Sequence, residues 1–166
     1  MQLEQFVALA VGAFLGSFGW LLVGMYLSRR ANMRVARSAA RAVYFELAMN
    51  EIDVDVASTH GVFSPLRRST FDRLLPELAS WLAPDELESL VRAYMSHAGY
   101  EQVQRDDKLP TPVRAAVLSR VVSEHTQASE MLLTKAFTAK EAARLSTLAR
   151  SHSGVEPAAA PATIKG

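Results

Sequence analysis

Between residues 6 and 27 the chain reads FVALAVGAFLGSFGWLLVGMYL, without a charge and almost without polarity. From residue 28 onward apolar residues instead recur at three- and four-residue intervals among charged ones. A helix rising about 1.5 Å per residue needs about 20 apolar residues to cover a hydrocarbon core of about 30 Å, so residues 6–27 are predicted to span a membrane. The periodic remainder predicts amphipathic helices around one small core, an all-α antiparallel bundle.

The punctuation between apolar stripes predicts the elements. Residues 28–57 contain neither Pro nor Gly, so a helix should run on from the span without a break until Thr59-His60-Gly61. Ser69 with Asp72 three residues on resembles a capping box opening a short helix, which Pro76 should kink or restart. Pro84-Asp85-Glu86 opens a helix expected to reach Gln104, with Leu87, Leu90, Val91, Tyr94 and Ala98 as its apolar stripe. Thr111, as N-cap before Pro112, opens a last helix expected to run from Val113 to about Arg150. The expected organisation is therefore a short exterior N-terminus (1–5), the span (6–27), an Arg-rich juxtamembrane helix (28–57), the helical bundle (58–152) and a disordered Ala/Pro tail (153–166).

Charge adds an orientation. The formal net charge is +1, but Arg29, Arg30, Arg34, Arg37 and Arg41 precede any acid after the span, while Glu4 is the only charged residue before it. Lys and Arg concentrate on cytoplasmic flanks, which predicts the N-terminus outside and the bundle in the cytoplasm. A cleaved signal peptide would need a basic start, a shorter apolar core and a small-residue cleavage site, and the sequence has none of these. With no cysteine, disulfides, thiolate metal ligands and lipidation on Cys are excluded.

Three patterns point to contacts. Gly12 and Gly16 form a GxxxG, a spacing that lets two helix backbones approach closely. Residues 36, 40, 43, 47, 50 and 54 keep 4-3-4-3-4 spacing and read Ala, Ala, Val, Leu, Asn, Val, a coiled-coil-like seam with Asn50 as a polar member that can fix register. Arg30, Arg34, Arg37 and Arg41 share one helix side, as a solvated topogenic stripe or as a contact for anionic lipid or an acidic partner.

Chemistry is harder to find. Glu51, Asp53 and Asp55 lack the spacing of a calcium loop, and His60, His97, His125 and His152 lie far apart with no helical His/Glu pair, so no metal or other cofactor is inferred. His125 shares a stripe with Val117, Val121, Ala128 and Leu132 and should face the core, and Trp81 also reads as core. No nucleophile elbow or phosphate loop appears. The basic stretch is short and lies against the membrane with Tyr44 as its aromatic neighbour, which disfavours nucleic acid. The sequence thus predicts a non-catalytic, single-pass membrane scaffold or adaptor. Its expected partners are membrane lipid and either a second copy or another membrane protein, with no small-molecule substrate; the alternative is an anionic-lipid sensor that recruits a soluble partner.

Overall fold

In a computed structural model of the chain, the backbone is described for residues 2–152 and the side chains for residues 19–147. The described residues form six helices and no strand: α1 (Gln2–His60), α2 (Ser69–Ala79), α3 (Pro84–Met95), α4 (His97–Arg105), α5 (Thr111–Ala136) and α6 (Ala139–His152). The expected tail, the exterior N-terminus and the surroundings of Gly12 and Gly16 lie outside the described side chains. Among the described residues no helix is long and apolar enough to cross a membrane. Of the expected span, the described side chains supply only residues 19–27.

The helix expected to continue unbroken from residue 28 does so as far as His60. Gly61 then takes a positive φ of 68°, a conformation that costs glycine little, and its N–H bonds Ala57 O at 3.0 Å to close the last turn. The far half of α1 is the axis of the bundle. Ala36, Ala40, Val43, Leu47, Asn50 and Val54 are all buried. What fills that seam is the rest of the same chain: α5 lies antiparallel along α1, with Phe137, next after α5, against Tyr44, and Leu118 and Val121 grouped with Val54 and Ala57. α2 packs on α1, while α3 and α4 lean on α5.

Two expected helices prove to be divided. The one from Pro84 divides at Ser96, a single turn residue whose hydroxyl donates to Ala93 O at 2.6 Å. The inward stripe changes with it, so Ala98 is exposed while His97, Tyr100 and Val103 are buried. The long helix from Val113 stops at Ala136, where Phe137 is extended (φ −111°, ψ 155°) and sets its ring edge-on against Tyr44, centroids 5.1 Å apart. A Thr-x-x-Glu box restarts it as α6. Thr138 N–H donates to Glu141 Oε2 at 2.8 Å and Glu141 N–H to Thr138 Oγ1 at 3.3 Å.

The capping box expected at Ser69 and Asp72 is not formed; Asp72 pairs with Arg68 instead, at 2.9 Å. Pro76 is carried inside α2 without ending it.

Asn50 is fully buried, and its carboxamide makes two short bonds to one backbone unit of the loop after α1. Its Nδ2 donates to Arg67 O at 2.7 Å, and Arg67 N–H donates to Oδ1 at 2.8 Å. The register device expected between helices is used, within this chain, to clip the loop to the helix. Leucine at this position would leave both Arg67 groups without their partner, although the loop is exposed enough for water to compensate in part. Asn50→Leu is therefore expected to destabilise the bundle by about 1–3 kcal/mol in urea unfolding, and Asn50→Asp, which keeps the acceptor only, by an intermediate amount.

Candidate functional site

The buried polar groups of the bundle collect in a layer between two apolar clusters. One cluster gathers Val43, Leu47, Phe71, Leu90 and Leu132, and the other gathers Val54, Tyr100, Val103 and Val121. Glu46, Asn50, His97, His125 and Ser129 are buried among or between them.

Glu46 comes from the α1 turn before Asn50. Its Oε2 accepts from Thr70 N–H at 2.8 Å, and its Oε1 accepts from Phe71 N–H at 3.1 Å and Tyr94 Oη at 2.9 Å. The first two donors belong to the opening turn of α2, where helix N–H groups otherwise lack partners and the helix dipole favours a negative charge. A carboxylate from α1 thus caps α2 in place of a local side chain. Phe71 and Tyr94 stack over it, centroids 4.1 Å apart and planes 9° from parallel. Burial and the facing Glu46 push the Tyr94 hydroxyl pKa far up, so it stays a donor.

Beyond Tyr94, His97 and His125 meet with Nε2 to Nε2 at 3.0 Å. Such a contact needs one ring to donate and the other to accept, so two protonated rings cannot occupy it. Burial is the main cause that pushes both imidazoles down, to about 4 each. Arg68 adds to the effect on His97, against the opposing pull of Glu46 and Glu101. His97 adds to the effect on His125, whose Nδ1 makes no well-formed hydrogen bond while the nearby Ala93 backbone weakly favours its charge.

The four expected Arg contacts separate. Arg30, Arg34 and Arg37 are exposed on the part of α1 that leads out of the bundle. Arg41 turns inward: Nε donates to Ala136 O at 3.0 Å, Nη2 reaches Glu141 Oε2 at 2.9 Å, and the guanidinium lies over the Phe137 ring, 5.1 Å from its centroid. It fastens the α5–α6 junction to α1. Trp81 packs on the first cluster under Lys135, whose ammonium also pairs with Glu86 at the start of α3.

Among the described residues no three His, Asp or Glu side chains gather to hold a metal ion. A surface groove of about 480 Å³ lies between Ala57, Gly61, Arg114 and Leu118, with Arg114 as its one charged lining residue. Sequence reading missed Glu46 and the His97–His125 pairing, because both depend on contacts between distant helices. The Thr138–Glu141 box had a local signal. Compared with family models, curated proteins and solved structures, the chain matches none.

The histidine pair gives the bundle a pH dependence of definite sign. The ordinary imidazole pKa is 6.5 and the folded values are about 4, so below 6.5 the unfolded chain takes up protons that the folded chain does not. Stability should fall as pH drops from 6.5 toward 4, by up to about 1.4 kcal/mol per pH unit for each histidine. The half-buried Glu51 carboxyl, raised chiefly by desolvation, opposes this slope. Urea unfolding at pH 7, 6 and 5 should show the loss, and His97→Gln with His125→Gln should flatten it.

Proposed function

We propose that the chain is a single-pass membrane scaffold whose helical bundle is held on a rigid stem. The observation that carries this reading is a band on α1. Trp20, Leu21, Leu22, Val23, Met25, Tyr26 and Leu27 are each at least half exposed, and they point to every side of the helix. A helix in water buries a single stripe, whereas one that is apolar all round needs an apolar solvent. The band continues backward through the apolar sequence of residues 6–18, and after Ser28 it is followed by Arg29 and Arg30. Trp20 and Tyr26 are residue types favoured at membrane interfaces.

The bundle itself supports a binding role over a catalytic one. Its buried titratable groups serve its own architecture: Glu46 caps α2, Asn50 holds a loop, and the histidines face one another. The second reading, contact with anionic lipid, is favoured by Arg30, Arg34 and Arg37, exposed within three turns of the band. Each is worth about 1 kcal/mol near a charged surface. Arg41, committed to the α5–α6 junction, is not counted with them.

The orientation follows from the same arginines. A reporter active only in the cytoplasm is expected to work when fused after Gly166 and to be silent when fused before Met1. Gln at Arg29, Arg30, Arg34 and Arg37 should give a mixed orientation. The proposal fails if the unaltered protein leaves the membrane fraction in alkaline carbonate.

A further inference from the structure

The backbone of α4 lies against α5 and the end of α3, and it reaches α1 only through side chains, where Tyr100 and Val103 share the second apolar cluster with Val54 and Ala57. Both ends of α4 are turns. Ser96 alone separates it from α3, and residues 106–110 separate it from α5. Gly99 sets how closely it lies, since a Cβ there would stand 3.1 Å from Val117 Cγ1. At that approach His97 of α4 and His125 of α5 meet Nε2 to Nε2, 3.0 Å apart and both buried.

That contact holds one proton between two rings and has no place for a charge. A charged imidazole carries N–H on both nitrogens. For His125 this includes Nδ1, which makes no hydrogen bond; the nearby Ala93 carbonyl already accepts the Ser96 hydroxyl. The charged groups facing the pair are Glu46 from α1, Arg68 from the loop before α2 and Glu101 from α4, with the Tyr94 ring of α3 against His97. Each of these is engaged elsewhere. Glu46 accepts from Thr70, Phe71 and Tyr94, Glu101 pairs with Arg105 at 2.8 Å, and Arg68 pairs with Asp72 at 2.9 Å. A charged ring therefore gains by reaching water, and two charged rings must part.

We propose that the pair is an acid-sensitive catch on α4. While both rings are neutral it holds α4 to α5; proton uptake raises the population of a form in which α4 has swung out about Ser96 and the 106–110 turn, with α1, α2, α3 and the C-terminal half of α5 still packed. The protons that lower the stability of the whole fold are thus taken up earlier, when a single helix leaves. The loop 61–68 loosens with α4, because Ser64 N–H donates to Tyr100 Oη at 3.3 Å and the Phe63 ring lies against that of Tyr100, centroids 5.4 Å apart. The first cluster, around Leu47, Leu90 and Leu132, stays shut.

Native-state amide exchange of the full-length protein in mild detergent reads this helix by helix, at pH 7, 6 and 5 and at low urea concentrations, with the intrinsic pH dependence of exchange divided out. Residues 97–105 should be less protected than Leu47, Leu90 and Leu132 at every pH. Their protection should barely respond to urea, because opening one helix exposes little surface, whereas the core amides should lose protection steeply. From pH 7 to pH 5 the protection of α4 should fall by about twentyfold for each histidine that becomes charged on opening. His97→Gln with His125→Gln should remove that fall; if the double variant does not fold, each single variant should remove one twentyfold step. Protection of α4 that is equal at pH 7 and pH 5, that follows urea with the slope of the core, or that keeps its full pH dependence in the Gln variants would overturn the proposal.

Discussion

A carboxyl group taken out of water has to be met by donors, and the way Glu46 is met organises the bundle. Two backbone N–H groups of α2 and the hydroxyl of Tyr94 from α3 converge on one side chain of α1. Three helices are thereby referred to a single point. Removing either the acceptor or the donors would leave buried polar groups unpaired, a larger loss than the net worth of the bonds themselves. One turn along, Asn50 does the same for the loop between α1 and α2, and across the layer the two histidines meet through their Nε2 atoms. Apolar packing alone tolerates small slips of one helix along another; this layer, set between two apolar clusters, ties Glu46, Asn50 and the two Nε2 atoms of the histidines to specific partners.

That internal commitment decides what α1 can offer outside. Its inner seam is occupied by α2 and α5, and Arg41 is drawn into the α5–α6 junction. What remains accessible is an apolar band at residues 20–27, the exposed arginines beyond it, and the outer stripe of Val35, Phe45, Met49 and Ile52. In the proposed scaffold the first two act in order along one unbroken helix, the band in the membrane and the arginines in the headgroup region. A rigid stem keeps the spacing between them fixed.

What could be read from the sequence was mostly what short-range periodicity records. The all-α class, the unbroken helix up to Gly61 and the inward seam from Ala36 to Val54 were legible because each is a property of one helix. The breaks at Ser96 and Phe137 were less so: no Pro or Gly marks either, and the Thr138–Glu141 box was hidden inside an apparently continuous pattern. Glu46 was not legible at all. An acid amid the apolar periodicity of α1 reads as solvated until α2 and α3 bring its donors, and His97 and His125 are neighbours only because α4 folds back on α5. Asn50 was recognised as a buried polar residue, but its partner, the backbone of Arg67, lies on a loop that periodicity does not describe.

The central claim, that Glu46 ties α1 to α3 through Tyr94, is open to a double-mutant cycle. Urea unfolding of the wild type, Glu46→Gln, Tyr94→Phe and the double variant isolates the coupling of the two side chains from their separate losses. A hydrogen bond to a charged acceptor in this buried setting should give a coupling of about 1.5–3 kcal/mol. Single-variant losses that simply add in the double variant would contradict it.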